Sequence, residues 1–330
     1  MSRKKRPDKE AYIEGVLAGD RVMLSRAITL VESKLQADRE LAEEVMDALM
    51  PHTGKSFRLG ITGVPGVGKS TFIGRFGKEV VSKGHKLAVL AIDPSSPSSR
   101  GSILGDKTRM GALAADPRVY VRPSATGGAL GGISANTREG SLICEAAGFD
   151  FIIIETVGVG QSEVAVRHMV DAFLLLLLPG AGDELQGLKK GIVEMADILV
   201  VNKADGQSVS PAREAQRAYS QAMKLFPPKL HNFPTKVLTC SSLTGDGIER
   251  LWNELTDYWQ LVYKSGYMEE ERRSQRVHWA KTQITDFIEL YFYAHPSIKE
   301  EMPKLLQKVR EGEVATLSAA RKLMELFLQN

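Results

Sequence analysis

The segment Gly63-Val64-Pro65-Gly66-Val67-Gly68-Lys69-Ser70-Thr71 sets glycines, a lysine and two hydroxyls at the spacing G-x-x-x-x-G-K-[ST], directly after an apolar run. These residue types bind phosphate. Glycines let the backbone curl until successive N–H groups face one anion, and a helix starting near Lys69 adds the partial positive charge of its N-terminus. Lys69 brings a mobile point charge to β- and γ-phosphate oxygens, which makes it the candidate catalytic residue. The Ser70 hydroxyl is the candidate ligand for Mg²⁺.

A second constellation, Val200-Val201-Asn202-Lys203-Ala204-Asp205, ends another apolar run and selects the base. The Asp205 carboxylate matches guanine, which offers N1–H and the exocyclic amine side by side. Adenine has an acceptor at N1 and no amine there, so the acid would be left unpaired. Polar matches of this kind discriminate by roughly 10⁴ or more. Asn202 is expected to brace the loop and the Lys203 stem to cover the base. Cys240-Ser241-Ser242-Leu243-Thr244-Gly245 follows the last apolar run, where guanine sites offer a backbone N–H to O6. Ser241, Ser242 and Leu243 therefore join the set, and the three segments in this order point to GTP/GDP rather than ATP.

Phe151-Ile152-Ile153-Ile154-Glu155-Thr156-Val157-Gly158 reads as the magnesium and γ-phosphate segment. Glu155, ending a buried strand, is placed to hold Mg²⁺ through water, and the Gly158 N–H to sense the γ-phosphate. Val159 stands where many guanine-nucleotide switches carry a water-orienting Gln, and Gln161 comes two positions late. Slow intrinsic hydrolysis, stimulated by a partner, is the expectation. Lys69 and Glu155 lie 86 positions apart, enough for an additional βα unit and a long loop. In that stretch Asp93 ends a predicted strand and Asp106 lies further on; either carboxylate is a further metal candidate. The Ser/Pro/Gly-rich segment from Asp93 to Gly101 suits a switch that orders around a γ-phosphate. A second such loop runs from Pro179 to Lys190.

The elements that must position these groups are legible as apolar runs: Phe57–Ile61, Leu87–Ile92, Val119–Val121, Phe151–Ile154, Phe173–Leu178, Ile198–Val201 and Lys236–Thr239. Most are continuous rather than alternating, as in strands buried on both faces. Helical stretches between them predict βαβ units, hence an α/β fold with a mostly parallel central sheet. Residues 1–55 lack strand patterns; Leu24, Ile28, Val31 and Leu35 share one helical face, with Asp20 as its cap. Residues 56–265 form the predicted nucleotide-binding domain. In residues 266–330 strand signals vanish again. Val277, Ile284, Ile288 and Tyr291 lie on one helical face that His295-Pro296 breaks, and Leu317, Ala320, Met324 and Phe327 mark a last helix. This helical tail has too little core to stand alone and must pack on the main domain or on another subunit.

Composition closes other doors. The 330 residues carry 43 Lys plus Arg against 40 Asp plus Glu, a net charge of +3, and Arg3, Lys4, Lys5 and Arg6 supply four of the positives. The rest of the chain shows no basic excess of the kind that nucleic acid requires, and the basic start reads as a solvated tail. Two cysteines, Cys144 and Cys240, give neither a disulfide framework nor metal-knuckle spacing. The longest apolar run, Ala172 to Leu178, falls far short of the about 20 residues a membrane crossing needs. Asp8 and Glu10 follow the basic cluster where a secretory signal needs an apolar stretch. A cytoplasmic protein with no membrane contact is expected.

Together, Gly63 to Thr71, the Asp93–Arg100 loop, Ile154-Glu155-Thr156-Val157-Gly158-Val159-Gly160-Gln161-Ser162-Glu163, Pro179 to Lys190 and Asn202-Lys203-Ala204-Asp205 resemble one family. It is the G-protein chaperone of adenosylcobalamin-dependent methylmalonyl-CoA mutase (MeaB, with its ArgK and MMAA relatives), a P-loop GTPase. The resemblance implies a homodimer with an N-terminal helical extension, a central G domain and a C-terminal helical dimerisation arm. It also implies a role powered by GTP in gating cofactor loading and in protecting or reactivating the mutase. On the same basis the Pro179–Lys190 loop is a partner-sensing switch, with Lys189 the candidate for partner-stimulated hydrolysis. Two other readings stand beside it. One is a protein kinase or ATPase linked to amino-acid transport, the other a metal-insertion GTPase of the nickel type. The six histidines are scattered and the cysteines unpaired in sequence, which disfavours the second.

Overall fold

The computed structural model describes residues 6–33, 35–92, 111–122, 130–156, 162–180, 190–226 and 233–328. Three helices come first, α1 (Lys9–Leu17), α2 (Arg21–Val31) and α3 (Gln36–Leu49). The strands are β1 (Phe57–Gly63), β2 (Leu87–Ile92), β3 (Val119–Arg122), β4 (Phe151–Thr156), β5 (Ala172–Leu177), β6 (Ile198–Val201) and β7 (Lys236–Thr239). Helices described between and after them are α4 (Lys69–Ser82), α5 (Gly111–Ala114), α6 (Leu130–Ala146), α7 (Ser162–Arg167), α8 (Lys190–Met195), α9 (Val209–Met223) and α10 (Ile248–Lys264). Then follow α11 (Tyr267–Ala294), α12 (Pro296–Arg310) and α13 (Thr316–Leu328).

The seven strands form one sheet in the order β3-β2-β4-β1-β5-β6-β7, and every described pairing is parallel. Full burial of β1, β4, β5 and β6 explains why their sequences run apolar without alternating. On one face, Phe57, Leu59 and Ile61 of β1 pack with Phe72 and Phe76 of α4 and Leu251 and Trp252 of α10. Residues of β1 with the other parity face α6 and α7. Arg58 reaches Glu145 on α6, and a Cβ added at Gly60 would lie 2.9 Å from Val166 of α7. The Phe173 ring of β5 would be closer still, at 2.7 Å, so β5 and α7 together leave no room for a side chain there.

The N-terminal helices sit over this second face through α2 and α6, which are in contact. Asp20 caps α2 as expected, its carboxylate accepting from the Val22 and Met23 N–H groups. Leu24 and Ile28 are buried, but the expected face stops there, because α2 ends at Val31 and Leu35 is 68% exposed. Ser33 donates to the Asp38 carboxylate across the break, a local bond that competes with continuing the helix. Arg6, at the end of the basic cluster, is exposed and pairs with Asp38 at 2.7 Å, while Arg3, Lys4 and Lys5 lie outside the described residues.

The chain divides into two compact units, Met1–Gln275 and Arg276–Asn330. In the second, Ile298 and Leu305 of α12 and Ala319 and Leu323 of α13 form a small core. This corrects the expected face of the last helix. Leu317, Ala320 and Met324 are exposed, and the buried stripe runs through Ala319 and Leu323 to the partly buried Phe327. The helix is apolar on more than one side, so period alone could not select the side that packs. Among the described residues, no helix is long and apolar enough to cross a membrane.

Candidate functional site

The carboxyl ends of β1, β4, β5 and β6 lie side by side, and the loops leaving them carry the predicted residues. In open parallel sheets this edge, where helices depart to opposite faces, is where ligands bind. Strand β1 runs into the phosphate-type loop, and α4 begins at Lys69, the Phe72 N–H bonding the Gly68 carbonyl at 2.8 Å. Gly68 has φ 93°, left-handed backbone that glycine adopts without steric cost. Gly63 is glycine for a different reason: a Cβ there would come within 2.7 Å of the Leu176 carbonyl on β5. Val64 is half-buried, Pro65 and Gly66 are exposed, and Val67 is fully buried and pins the loop to the core. The Lys69 ammonium donates to the Gly63 carbonyl at 2.8 Å, so the charge is held inside the curl of the loop. Ser70 is buried in the first turn of α4, and Thr71 beside it faces outward.

The second constellation meets the first. Asn202 is buried; its Nδ2 donates to the Val67 carbonyl at 2.9 Å, and its Oδ1 accepts from the Ser242 hydroxyl at 2.7 Å and the Ser242 N–H at 3.2 Å. The Cys240 thiol donates to the same oxygen. Burial pushes that thiol up to about 12, so it stays a donor at neutral pH. Lys203 holds φ 60°, the one described non-glycine residue in the left-handed region, and its ammonium bonds the Gly66 carbonyl at 2.8 Å. Backbone strain of this kind collects at ligand sites. Asp205 is half-buried, and its Oδ2 accepts from the Ser241 hydroxyl.

The Cys240–Gly245 turn is folded on itself. Ser241 N–H bonds the Asp246 carbonyl, Ser242 N–H bonds Asn202, and Leu243 N–H bonds Ser241 Oγ at 3.2 Å. A base oxygen would have to share or displace one of these donors. The Leu243 side chain is 77% exposed above the loop. Arg75 of α4 ties the turn down, its guanidinium donating to the Thr244 carbonyl at 2.7 Å.

Glu155 is buried at the end of β4, opposite Ile61 of β1 and Ala91 of β2. Its companions from the sequence reading, Gly158, Asp93, Asp106 and Lys189, lie outside the described residues. Thr156 and Glu163 stood in quoted segments without a role, and Thr62 was missed. All are buried, and Thr156 Oγ1 donates to Thr62 Oγ1 at 2.7 Å while Thr62 Oγ1 donates to Glu163 at 3.2 Å. The one available signal was a hydroxyl at the end of each apolar run. Among the described residues no group of three or more His, Cys, Asp or Glu side chains is arranged to hold a metal ion. Cys144 and Cys240 are separately buried, both with thiols raised by desolvation, a poor basis for a soft-metal cargo site.

Comparison with known proteins follows this geometry. The sequence profile of the family described as "Methylmalonyl Co-A mutase-associated GTPase MeaB" matches residues 24–297. The chain is 44% identical to the mouse protein "Methylmalonic aciduria type A homolog, mitochondrial", over 95% of this chain and 78% of that one. It is 42% identical to "GTPase ArgK" of Escherichia coli, over 94% of each. A solved structure named "LAO/AO transport system kinase" superposes with a TM-score of 0.76 at 34% identity, covering 100% of both chains.

Proposed function

The chain belongs to the family of methylmalonyl-CoA mutase-associated GTPases, and from that premise we propose that it is a GTP-driven chaperone of the adenosylcobalamin-dependent methylmalonyl-CoA mutase. It is a P-loop GTPase and binds guanine nucleotide. The Gly63–Thr71 loop and the start of α4 cradle the phosphates, through their N–H groups except at Pro65, which has none. Lys69 leaves the Gly63 carbonyl for the β/γ oxygens, and Asp205 accepts the guanine N1–H and amine. The observation that carries this reading is Asn202, whose buried amide joins the phosphate loop at Val67 to the base loop at Ser242. Base recognition and phosphate geometry are thereby one rigid unit.

Ser70 and Glu155 fit Mg²⁺ by chemistry, being hard oxygen donors at the ends of a helix start and a buried strand. When bound, the ion would offset the charge of the phosphates. Asp93 or Asp106 would complete the set, Gly158 would meet the γ-phosphate, and Lys189 would join on partner contact. With Val159 at the position of a water-orienting side chain, hydrolysis by the chain alone is slow.

A homodimer is part of the proposal. Val277, Ile284, Ile288 and Tyr291, the shared face of α11, are 55%, 57%, 56% and 61% exposed. An apolar stripe of this kind is what a second copy would cover. Sedimentation of the wild type and of Ile284→Lys/Ile288→Lys checks it, with a shift from dimer to monomer expected.

The deciding experiment is GTP turnover by the purified protein, with and without methylmalonyl-CoA mutase. Stimulation of roughly ten- to a hundredfold is expected, and its loss in Lys69→Ala. Absence of stimulation and of co-elution in any nucleotide state would overturn the chaperone reading while leaving the GTPase.

A further inference from the structure

Strands β1 and β4 pair in parallel with Ile61 opposite Glu155. The next residue on each strand, Thr62 and Thr156, therefore faces the other side of the sheet, the side on which α7 lies. There the two hydroxyls and the Glu163 carboxylate of α7 form a buried chain, Thr156 to Thr62 at 2.7 Å and Thr62 to Glu163 at 3.2 Å. Thr62, Thr156 and Glu163 are 1%, 0% and 0% exposed.

The chain has a direction. Thr62 has one proton and gives it to Glu163, which leaves its oxygen to accept the proton of Thr156. Three apolar side chains would fill this volume without a desolvation cost. A satisfied buried polar chain in their place specifies one geometry, because a shift of any member breaks a bond that water cannot replace there. Two packing contacts keep α7 where Glu163 can serve it. Val166 rests over Gly60, and Arg167 stands 3.8 Å from Glu271 at the start of α11.

What this chain holds is the end of β4. Thr156 directly follows Glu155, and Thr62 directly precedes Gly63, whose carbonyl receives the Lys69 ammonium. We propose that Glu163, acting through Thr62 and Thr156, is a positioning residue for GTP hydrolysis. It locks the carboxyl end of β4 to the phosphate loop and so sets the separation of Glu155 from Lys69 and Ser70. The inference rests on the phosphate site proposed above. Its effect falls on the rate of the chemical step and not on nucleotide affinity, since none of the three residues is part of the nucleotide cradle.

The test is single-turnover hydrolysis of bound GTP, with the dissociation constant of a fluorescent GDP and the melting temperature measured alongside. Thr62→Val keeps the shape and removes both bonds. It is expected to slow hydrolysis roughly ten- to a hundredfold, the scale of a misplaced catalytic group, with GDP affinity within about threefold of wild type. Thr62→Ser, which restores the hydroxyl, returns the rate to within about threefold, and Glu163→Gln, which keeps an acceptor oxygen, does better than Glu163→Ala. An unchanged rate in Thr62→Val, or a slowed rate that Thr62→Ser does not rescue, overturns the proposal. Should Glu163→Ala fail to fold, the Thr62 pair decides alone. Lys69→Ala in the same assay separates the two levels: retained hydrolysis there sinks the phosphate-site reading itself.

Discussion

The two ends of the central sheet handle charge in opposite ways. At the amino end, Arg272 of α11 grips Asp171, just before β5, with two bonds of 2.7 Å, and also donates to the Gly54 and Ser56 carbonyls. Arg58 of β1 reaches Glu145 at 2.7 Å, whose other oxygen accepts the Ser56 N–H. Burial opposes the charge on Glu145, but Arg58, the Ser56 N–H and Arg272 outweigh it and hold the carboxyl below its ordinary value. At the carboxyl end Lys69 instead rests on the Gly63 carbonyl and Lys203 on the Gly66 carbonyl, while Asp205 stands half-buried. One end resembles a finished core, its charges paired with each other. The other keeps its cations on replaceable partners, next to left-handed backbone. The contrast separates stability from binding along a single strand, β1, which contributes Arg58 to one end and Gly63 to the other.

Arg272→Ala should produce the largest effect. It leaves the Asp171 carboxylate, whose side chain is 1% exposed, without its cation and with the Arg58 N–H as a remaining donor. A loss of about 3–5 kcal/mol in chemical unfolding is expected, with GDP affinity of the folded protein nearly unchanged. Lys69→Ala makes the opposite break. Hydrolysis should slow by roughly 10²–10³ while the melting temperature of the nucleotide-free protein stays put; a lowered melting temperature would blur the division. Asp205→Asn sharpens the comparison within the site. The amide can donate to a carbonyl at the purine 2-position but no longer accepts an amine there, so GTP binding weakens on the order of a hundredfold and a xanthine nucleotide gains.

The smallest effect is on the pH dependence. Glu145 binds its proton less readily folded than unfolded, so it contributes stability above the ordinary glutamate value of 4.5, which is lost as pH falls below it. The melting temperature should therefore decline in acid, and Glu145→Gln should flatten that decline. An identical acid limb in the variant would remove Glu145 from the account.

Much of the fold was readable because buried parallel strands write themselves as short apolar runs bounded by turn signals. All seven appear close to the expected places, and β1 and β4 extend two residues beyond their runs, to Gly63 and Thr156. Those extra residues are polar or glycine and are held as strand by pairing to neighbours, which no local pattern records. Helix faces were less legible. In α13 nearly every side offers an apolar residue, and only the position of α12 selects Ala319 and Leu323.

The candidate site divides along the same line. Gly63 to Thr71 and Asn202 to Asp205 were identified by residue type and spacing, since a phosphate cradle and a guanine acceptor depend on groups a few positions apart. The contacts that make them one site bridge large separations in the chain: Asn202 meets Val67 across 135 positions, and Thr156 meets Thr62 across 94. Those depend on β4 inserting between β2 and β1, and on β6 lying beyond β5. Spacing along the chain carries the chemistry of a loop. Strand order is settled by which faces bury one another, and that exists only once the whole sheet is assembled.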